Sequence, residues 1–176
     1  RARQLSRRQP AGGQLRDALT GLVERPVLLS HINALLSDME HIDPDLPGGI
    51  IYVELDQSYA FRQRIGTRGY AQLTEELAPL LSQELARDES ATRYGDNAFC
   101  ILVPNRSQAS LKALAQDLVI LVRKHEFKIG KKTTRTTITT GVCMLSSQLA
   151  DAGAAIALAE RTCRPVKPKA STKPAT

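Results

Sequence analysis

The sequence lacks long apolar runs, closely spaced cysteines, and aromatic residues within its basic ends. No apolar run approaches the roughly 20 residues that span a bilayer, and the Arg-rich first residues contain no apolar segment typical of a secretory signal. The three cysteines, Cys100, Cys143 and Cys163, are too widely separated to form a metal-ligand or redox pair. We therefore expect reduced, buried thiols in a cytoplasmic protein without a membrane segment.

Basic charge is concentrated at the two ends of the chain. The formal net charge is +6, but five arginines precede the first acidic residue and five basic residues follow the last. Residues 17–160 carry 14 basic and 18 acidic side chains, so the middle of the chain is mildly acidic. The basic ends lack interleaved aromatics, and we expect no nucleic-acid partner.

Length and apolar periodicity predict one domain built from alternating helices and strands. A chain of 176 residues with 42% apolar content can bury a single core. Helical spacing predicts helices over 27–39, 58–65, 107–126 and 151–164, and a longer one after a loop at 66–69, with a kink at Pro79. Apolar and β-branched runs predict strands at 50–55, 99–103 and 133–144, and Gly95 to Asn97 predicts a hairpin turn. This order indicates an α/β fold with a mixed central β-sheet flanked by helices.

Four segments resemble the GGDEF domain family, which includes the diguanylate cyclases. They are the opening motif DALTGLVER at 17–25, the first strand YVELD at 52–56, the signature hairpin RYGDNAF at 93–99 and the late strand TITTGV at 137–142. The resemblance implies a palm-like nucleotide-cyclase fold, with the hairpin at the signature motif. The expected domain covers 17–167, between a basic connecting segment at 1–16 and a Pro/Lys-rich linker at 168–176.

The resemblance also implies a chemistry that this chain is expected to have lost. Diguanylate cyclases join two GTP molecules, each held by one subunit of a dimer, using metal ions at the attacked phosphate, so a homodimer is a further expectation. Glu54 stands at a metal-binding Asp position and is the residual candidate metal ligand. Ala98 stands where the hairpin should supply the other metal-binding Glu, and a methyl group cannot ligate Mg²⁺. Asp96 and Asn97 replace the second glycine and the acidic third residue of the signature.

The positions of the family's ligand contacts differ as well. Tyr59 replaces a phosphate-facing Lys, while Arg62 and Ala71 replace the Asn and Asp that would bind guanine. Ala86 and Glu89 occupy the Arg and Asp positions of the inhibitory site that binds cyclic dinucleotide, and we expect Glu89 to lie in a solvated turn. We therefore expect no catalytic residues, no metal or other cofactor, and no ligand binding at these positions.

The hypothesis is a catalytically inactive, degenerate GGDEF domain that acts as a regulatory or protein-interaction module in cyclic di-GMP signalling. The family's usual downstream neighbour is an EAL domain, so the expected partners are an EAL domain and an upstream sensor of the same bacterial receptor, of a kind that regulates type IV pili and twitching motility. Two alternatives stay open: GTP binding as an allosteric ligand without turnover, or a weak cyclase in which Glu54, Asp56 and Asp96 hold one metal. We expect Asp96 and Asn97 to be turn residues whose side chains cap their own backbone.

Overall fold

A four-stranded antiparallel sheet lies at the centre of the computed structural model, which describes residues 16–163. Its strands are β1 (Gly49–Leu55), β2 (Ser90–Gly95), β3 (Ala98–Val103) and β6 (Ile138–Met144), in the spatial order β2-β3-β1-β6. The predicted α/β class is confirmed, although all three strand pairings are antiparallel and the sheet is not mixed. Apart from Arg16, the basic segment predicted at 1–16 lies outside the described residues, as does the linker predicted at 168–176.

A separate two-stranded hairpin follows the third helix. It consists of β4 (Phe127–Ile129) and β5 (Lys132–Thr134). The single strand predicted at 133–144 is therefore wrong, because Thr134 pairs with Phe127 whereas Ile138 pairs with Leu55 of the central sheet.

Four helices pack around the sheet: α1 (Arg25–Ser37), α2 (Ser58–Ser82), α3 (Gln108–Lys124) and α4 (Ala152–Thr162). The Ser107 side chain accepts a hydrogen bond from the Ser110 amide, and Asp151 does the same for Ala154, which fixes where α3 and α4 begin. Within residues 16–163, none of the helices combines the length and apolar character that crossing a membrane requires.

The helix α2 is interrupted at one residue, Gly66. Its φ of 76° and ψ of 172° lie in a region that glycine adopts and L side chains rarely enter. The loop predicted at 66–69 is thus reduced to one residue. At Pro79, where a kink is predicted, the backbone angles stay helical; the non-helical angles inside α2 are those of Gly66.

The sheet separates two apolar layers. Along β1, Ile51, Val53 and Leu55 face the layer formed with α2 and α3, while Ile50 and Tyr52 face the layer formed with α1 and α4. Gly141 lets α4 approach β6 closely, since a Cβ there would lie 2.1 Å from the Ala159 carbonyl oxygen. The alternation of side chains along β1 determines on which face of the sheet each polar residue at the end of the strand lies.

Candidate functional site

The candidate site lies where the end of β1 meets the turn between β2 and β3. The strand register places Glu54 directly opposite Ala98. Alternation puts Glu54 on the face of Tyr52, and the buried Ala98 belongs to the same α1/α4 layer. Cβ atoms of such cross-strand partners lie about 4.5–5.5 Å apart, so a carboxylate at position 98 would lie beside that of Glu54. The Ala98 methyl leaves Glu54 as the only acid of this strand pair.

One neutral donor reaches the Glu54 carboxylate, and a thiol lies near its other oxygen. Asn97 Nδ2 donates to Oε1 at 3.3 Å, and Cys163 Sγ lies 3.9 Å from Oε2 but only 3.3 Å from the Thr139 carbonyl oxygen. Burial raises the pKa of the Cys163 thiol to about 12, with Glu54 and Asp56 adding to the rise. The thiol is therefore protonated at neutral pH, and its single weak donor is closer to the Thr139 carbonyl than to Glu54.

The second acid at the end of β1, Asp56, is bound by two hydroxyls. Thr137 Oγ1 donates to Asp56 Oδ2 and Thr139 Oγ1 donates to Oδ1, each at 2.6 Å. These bonds tie the residue after β1 to the start of β6. They also occupy both carboxylate oxygens with protein donors.

Asp96 and Asn97 form a two-residue turn between β2 and β3, as predicted. The expectation that their side chains cap their own backbone is wrong for Asn97, whose amide donates to Glu54 and, at 3.3 Å, to Ser58 Oγ. The Asp96 side chain is 86% exposed, with Oδ2 3.9 Å from Arg62. The backbone of the turn is held by two other side chains. The Asp96 carbonyl accepts hydrogen bonds from Tyr70 Oη at 2.8 Å and from Arg93 at 2.7 Å.

Two cavities open beside this turn. The first, about 300 Å³, is lined by residues that include Glu54, Asp56, Ser58, Tyr59 and Asn97. The second, about 330 Å³, is lined by residues that include Arg62, Tyr70, Ala71, Arg93 and Asp96. The fold thus gathers the predicted phosphate and metal positions in the first cavity and the predicted base positions in the second.

The side chains at the predicted ligand positions make contacts of their own. Tyr59 is 76% exposed. The Arg62 guanidinium carbon lies 4.4 Å from the centroid of the Tyr70 ring, a cation-π contact. Arg62 also faces Asp96 across 3.9 Å, so its charge is shared between the ring and the turn.

The family model for "Diguanylate cyclase, GGDEF domain" matches residues 14–173 of the chain. The chain belongs to the GGDEF family. The predicted palm-like fold is confirmed by solved structures of other GGDEF domains. The FimX GGDEF domain from Pseudomonas aeruginosa has a TM-score of 0.74 at 23% identity, covering 85% of this chain and 91% of that one.

Two further similar proteins are a diguanylate cyclase and a cyclic di-GMP phosphodiesterase. The diguanylate cyclase SiaD from Pseudomonas aeruginosa, solved in complex with its activator SiaC, has a TM-score of 0.77 at 18% identity, covering 92% of this chain and 61% of that one. The cyclic di-GMP phosphodiesterase PdeR from Escherichia coli is 26% identical over 140 residues, or 80% of this chain and 20% of PdeR. The chain spans about a fifth of the length of the curated relatives that it matches.

Glu89 of this GGDEF domain is buried, so the expectation of a solvated turn is wrong. Its side chain is 2% exposed and accepts hydrogen bonds from Arg106 Nε at 2.5 Å, from a terminal nitrogen of Arg106 at 3.1 Å and from the Ala86 amide at 2.7 Å. Arg106 lies 17 residues further along the chain, beyond β3, and returns to pair with Glu89. The two positions expected for the inhibitory site are therefore joined to each other and to the end of the hairpin.

The three acids considered for a one-metal site are divided between two cavities. Within residues 16–163 no cluster of three or more His, Cys, Asp or Glu side chains is placed to hold a metal ion. Glu54 and Asp56 line the first cavity, whereas Asp96 lines the second. The three-carboxylate site considered for a weak enzyme is thus not assembled by this fold.

Three residues of the site were missed by the sequence analysis: Ser58, Tyr70 and Cys163. Cys163 was expected to be a buried thiol, and the described cysteines are indeed free and buried. Its contact with Glu54, however, joins positions 109 apart in the chain. Tyr70 could have been predicted from its place on the apolar face of α2, because a buried Tyr hydroxyl usually needs a hydrogen-bond partner.

Proposed function

We propose that this GGDEF domain does not synthesise cyclic di-GMP and acts as a regulatory, protein-interaction module within a larger multidomain receptor of cyclic di-GMP signalling. The observation that carries the proposal is the pair formed by Glu54 and Ala98. Metal-assisted joining of two GTP molecules needs carboxylates that converge on hard cations. At this pair one acid is replaced by a buried methyl group, and the other accepts a hydrogen bond from the Asn97 amide and lies near the Cys163 thiol.

The ligand positions support the same proposal. The resemblance to the family implies a phosphate-binding Lys at one position and guanine-binding side chains at two others. This chain has the phenol of Tyr59 at the first, and the cation of Arg62 and the methyl group of Ala71 at the other two. Arg62 would also place a charge beside the base, and it already contacts Tyr70 and Asp96. The loss extends over both cavities, so we expect that restoring the hairpin alone does not restore synthesis.

The multidomain part of the proposal rests on the relatives. The chain matches only about a fifth of each curated relative, and one of these is a cyclic di-GMP phosphodiesterase. We propose that the partners of this domain are an EAL domain downstream and a sensor upstream in the same chain, in the cytoplasm, with homodimerisation as a further arrangement. Control of type IV pili and twitching motility stays a prediction.

Incubation with GTP and Mg²⁺ or Mn²⁺, followed by chromatography, tests the absence of synthesis. We expect no cyclic di-GMP from the wild-type chain or from the triple variant Asp96→Gly, Asn97→Asp, Ala98→Glu. Product formation by the wild type that Glu54→Ala abolishes, and that Glu84→Ala at an exposed acid leaves intact, would overturn the proposal. Strong synthesis by the triple variant would show that the loss is confined to the hairpin.

A second candidate function, GTP binding without turnover, is favoured by one observation: both cavities beside the turn remain open, and Arg62 and Arg93 line the second. This function requires that GTP shift the backbone amide resonances of Tyr59, Arg62 and Asn97 in a saturable manner. The absence of such shifts at millimolar GTP would remove this candidate.

A further inference from the structure

A third cavity, about 500 Å³, lies apart from the turn between β2 and β3. It is bordered by the first two turns of α2, the last turn of α3 and the connection from β5 to β6. We call it the arginine pocket, because its lining includes Arg64, Arg123 and Arg135, each from a different element, together with Phe61, Thr136 and Thr137.

The arginine pocket concentrates positive charge on a domain that is otherwise mildly acidic. Asp56 is the acid among its lining residues, and both Asp56 oxygens already accept hydrogen bonds from Thr137 and Thr139. Arg135 pairs with Glu126 at 3.1 Å, but these side chains are 66% and 59% exposed, and an ion pair between such exposed side chains is weak. Three arginines thus line the pocket with one engaged carboxylate, and one of the three also pairs with Glu126, whereas residues 17–160 as a whole carry more acids than bases.

The pocket also has an apolar wall beside its charges. The Arg64 guanidinium carbon lies 4.5 Å from the centroid of the Phe61 ring, and Ala60 lies on the same wall. A guanidinium group stacked on an aromatic ring keeps its N–H donors directed outward in the plane of the group. A volume of about 500 Å³ falls within the range of small-molecule sites.

From these observations we propose that the arginine pocket binds a small molecule carrying a phosphate group, of the size of a mononucleotide. Arginine forks match phosphate oxygens with paired, charge-assisted hydrogen bonds. The wall of Phe61 and Ala60 receives the remainder of the ligand. Binding of such a ligand in the arginine pocket does not require the domain to be an active cyclase.

Asp56 and Gln57 line both the arginine pocket and the first cavity of the candidate site. A ligand in the pocket therefore contacts the residues that immediately follow β1. Because the two cavities share Asp56 and Gln57, the experiment must show which cavity holds the ligand.

Calorimetric titration of the full chain with inorganic phosphate, GMP and guanosine at low ionic strength tests the proposal. We expect phosphate and GMP to bind one site with a Kd below about 1 mM, with affinity falling as salt is added, and guanosine to give no heat. Arg64→Ala and Arg123→Ala should each weaken GMP binding by about tenfold or more. Arg68→Ala, at an exposed arginine of α2 outside the pocket lining, should change it by less than about twofold.

Two further measurements locate the ligand. Saturable GMP-induced shifts are expected at the amides of Ala60 and Thr136, and not at Tyr59 or Asn97. Asp56→Asn should strengthen GMP binding, since it removes the one negative charge of the pocket; a thermal unfolding curve for each variant shows that the fold is retained. No binding of phosphate or GMP, equal affinity in Arg123→Ala and the wild type, or shifts confined to Tyr59 and Asn97 would each overturn the proposal. The last result would instead support nucleotide binding at the candidate site.

Discussion

At the scale of single residues, the acids of the candidate site have neutral partners. Glu54 lies opposite a methyl group, accepts a hydrogen bond from an amide and lies near a protonated thiol, while Asp56 is bound by two hydroxyls. Such donors satisfy the carboxylate oxygens without a cation. The acids that remain at the end of β1 therefore tie the hairpin, β6 and the end of α4 together.

Glu89 and Arg106 form the most buried of the described ion pairs, and breaking it should be costly. Glu89→Ala leaves Arg106 partly buried without its carboxylate and removes the acceptor of the Ala86 amide. We expect the free energy of unfolding to fall by about 3–5 kcal/mol, measured by urea titration. Glu126→Ala is the matched control, because it breaks the exposed pair with Arg135 and should cost less than about 1 kcal/mol. Equal losses in the two variants would mean that the buried pair contributes no more than a surface one.

At the scale of helices and strands, much of the fold could be predicted from local pattern. Apolar spacing placed α3 and α4 to within a few residues, and Gly95 to Asn97 marked the hairpin. Where the strand prediction failed, the deciding information was strand pairing rather than local pattern. Residues 133–140 are all β-branched except Arg135, and only the pairing partners, Phe127 and Leu55, divide the run into β5 and β6.

The interruption of α2 belongs to the same scale, and it depends on one glycine. Gly66→Ala should lower the free energy of unfolding by about 1–3 kcal/mol, because the alanine must adopt φ 76° and ψ 172°. The cost is one of backbone conformation, since a Cβ at this position would meet open space. Urea titration measures it. Gly95→Ala is the control: its φ is not positive and its Cβ would make an ordinary 3.9 Å contact with Ala98, so the change should stay below about 1 kcal/mol. An unchanged or raised stability in Gly66→Ala would show that α2 can run straight through this position.

At the scale of the whole molecule, the candidate site forms because helices pack on both faces of one sheet. Glu54 meets Cys163 only after α4 has packed across β6, and Arg106 reaches Glu89 only after the hairpin has folded back. Motif comparison named positions that the fold places around two neighbouring cavities, but it could not give these partners, since each contact is made by tertiary packing. The same packing removes the thiols from solvent: Cys100, Cys143 and Cys163 are all buried on the α1/α4 side.

Burial of these thiols predicts how the whole fold reacts with a thiol reagent such as Ellman's. Burial raises the pKa of Cys100 and of Cys163 to about 12 and raises that of Cys143. Since the thiolate is the reactive form, a raised pKa leaves little of it at pH 8, whereas unfolded cysteines titrate near about 8.5. We expect all three thiols to react rapidly in denaturant and slowly in the native state. Cys163, at the end of α4, should react before Cys100, which lies at the centre of the sheet and becomes accessible only with global unfolding. Cys163→Ala assigns the first native phase, and rapid native labelling of Cys100 would contradict the two-layer packing.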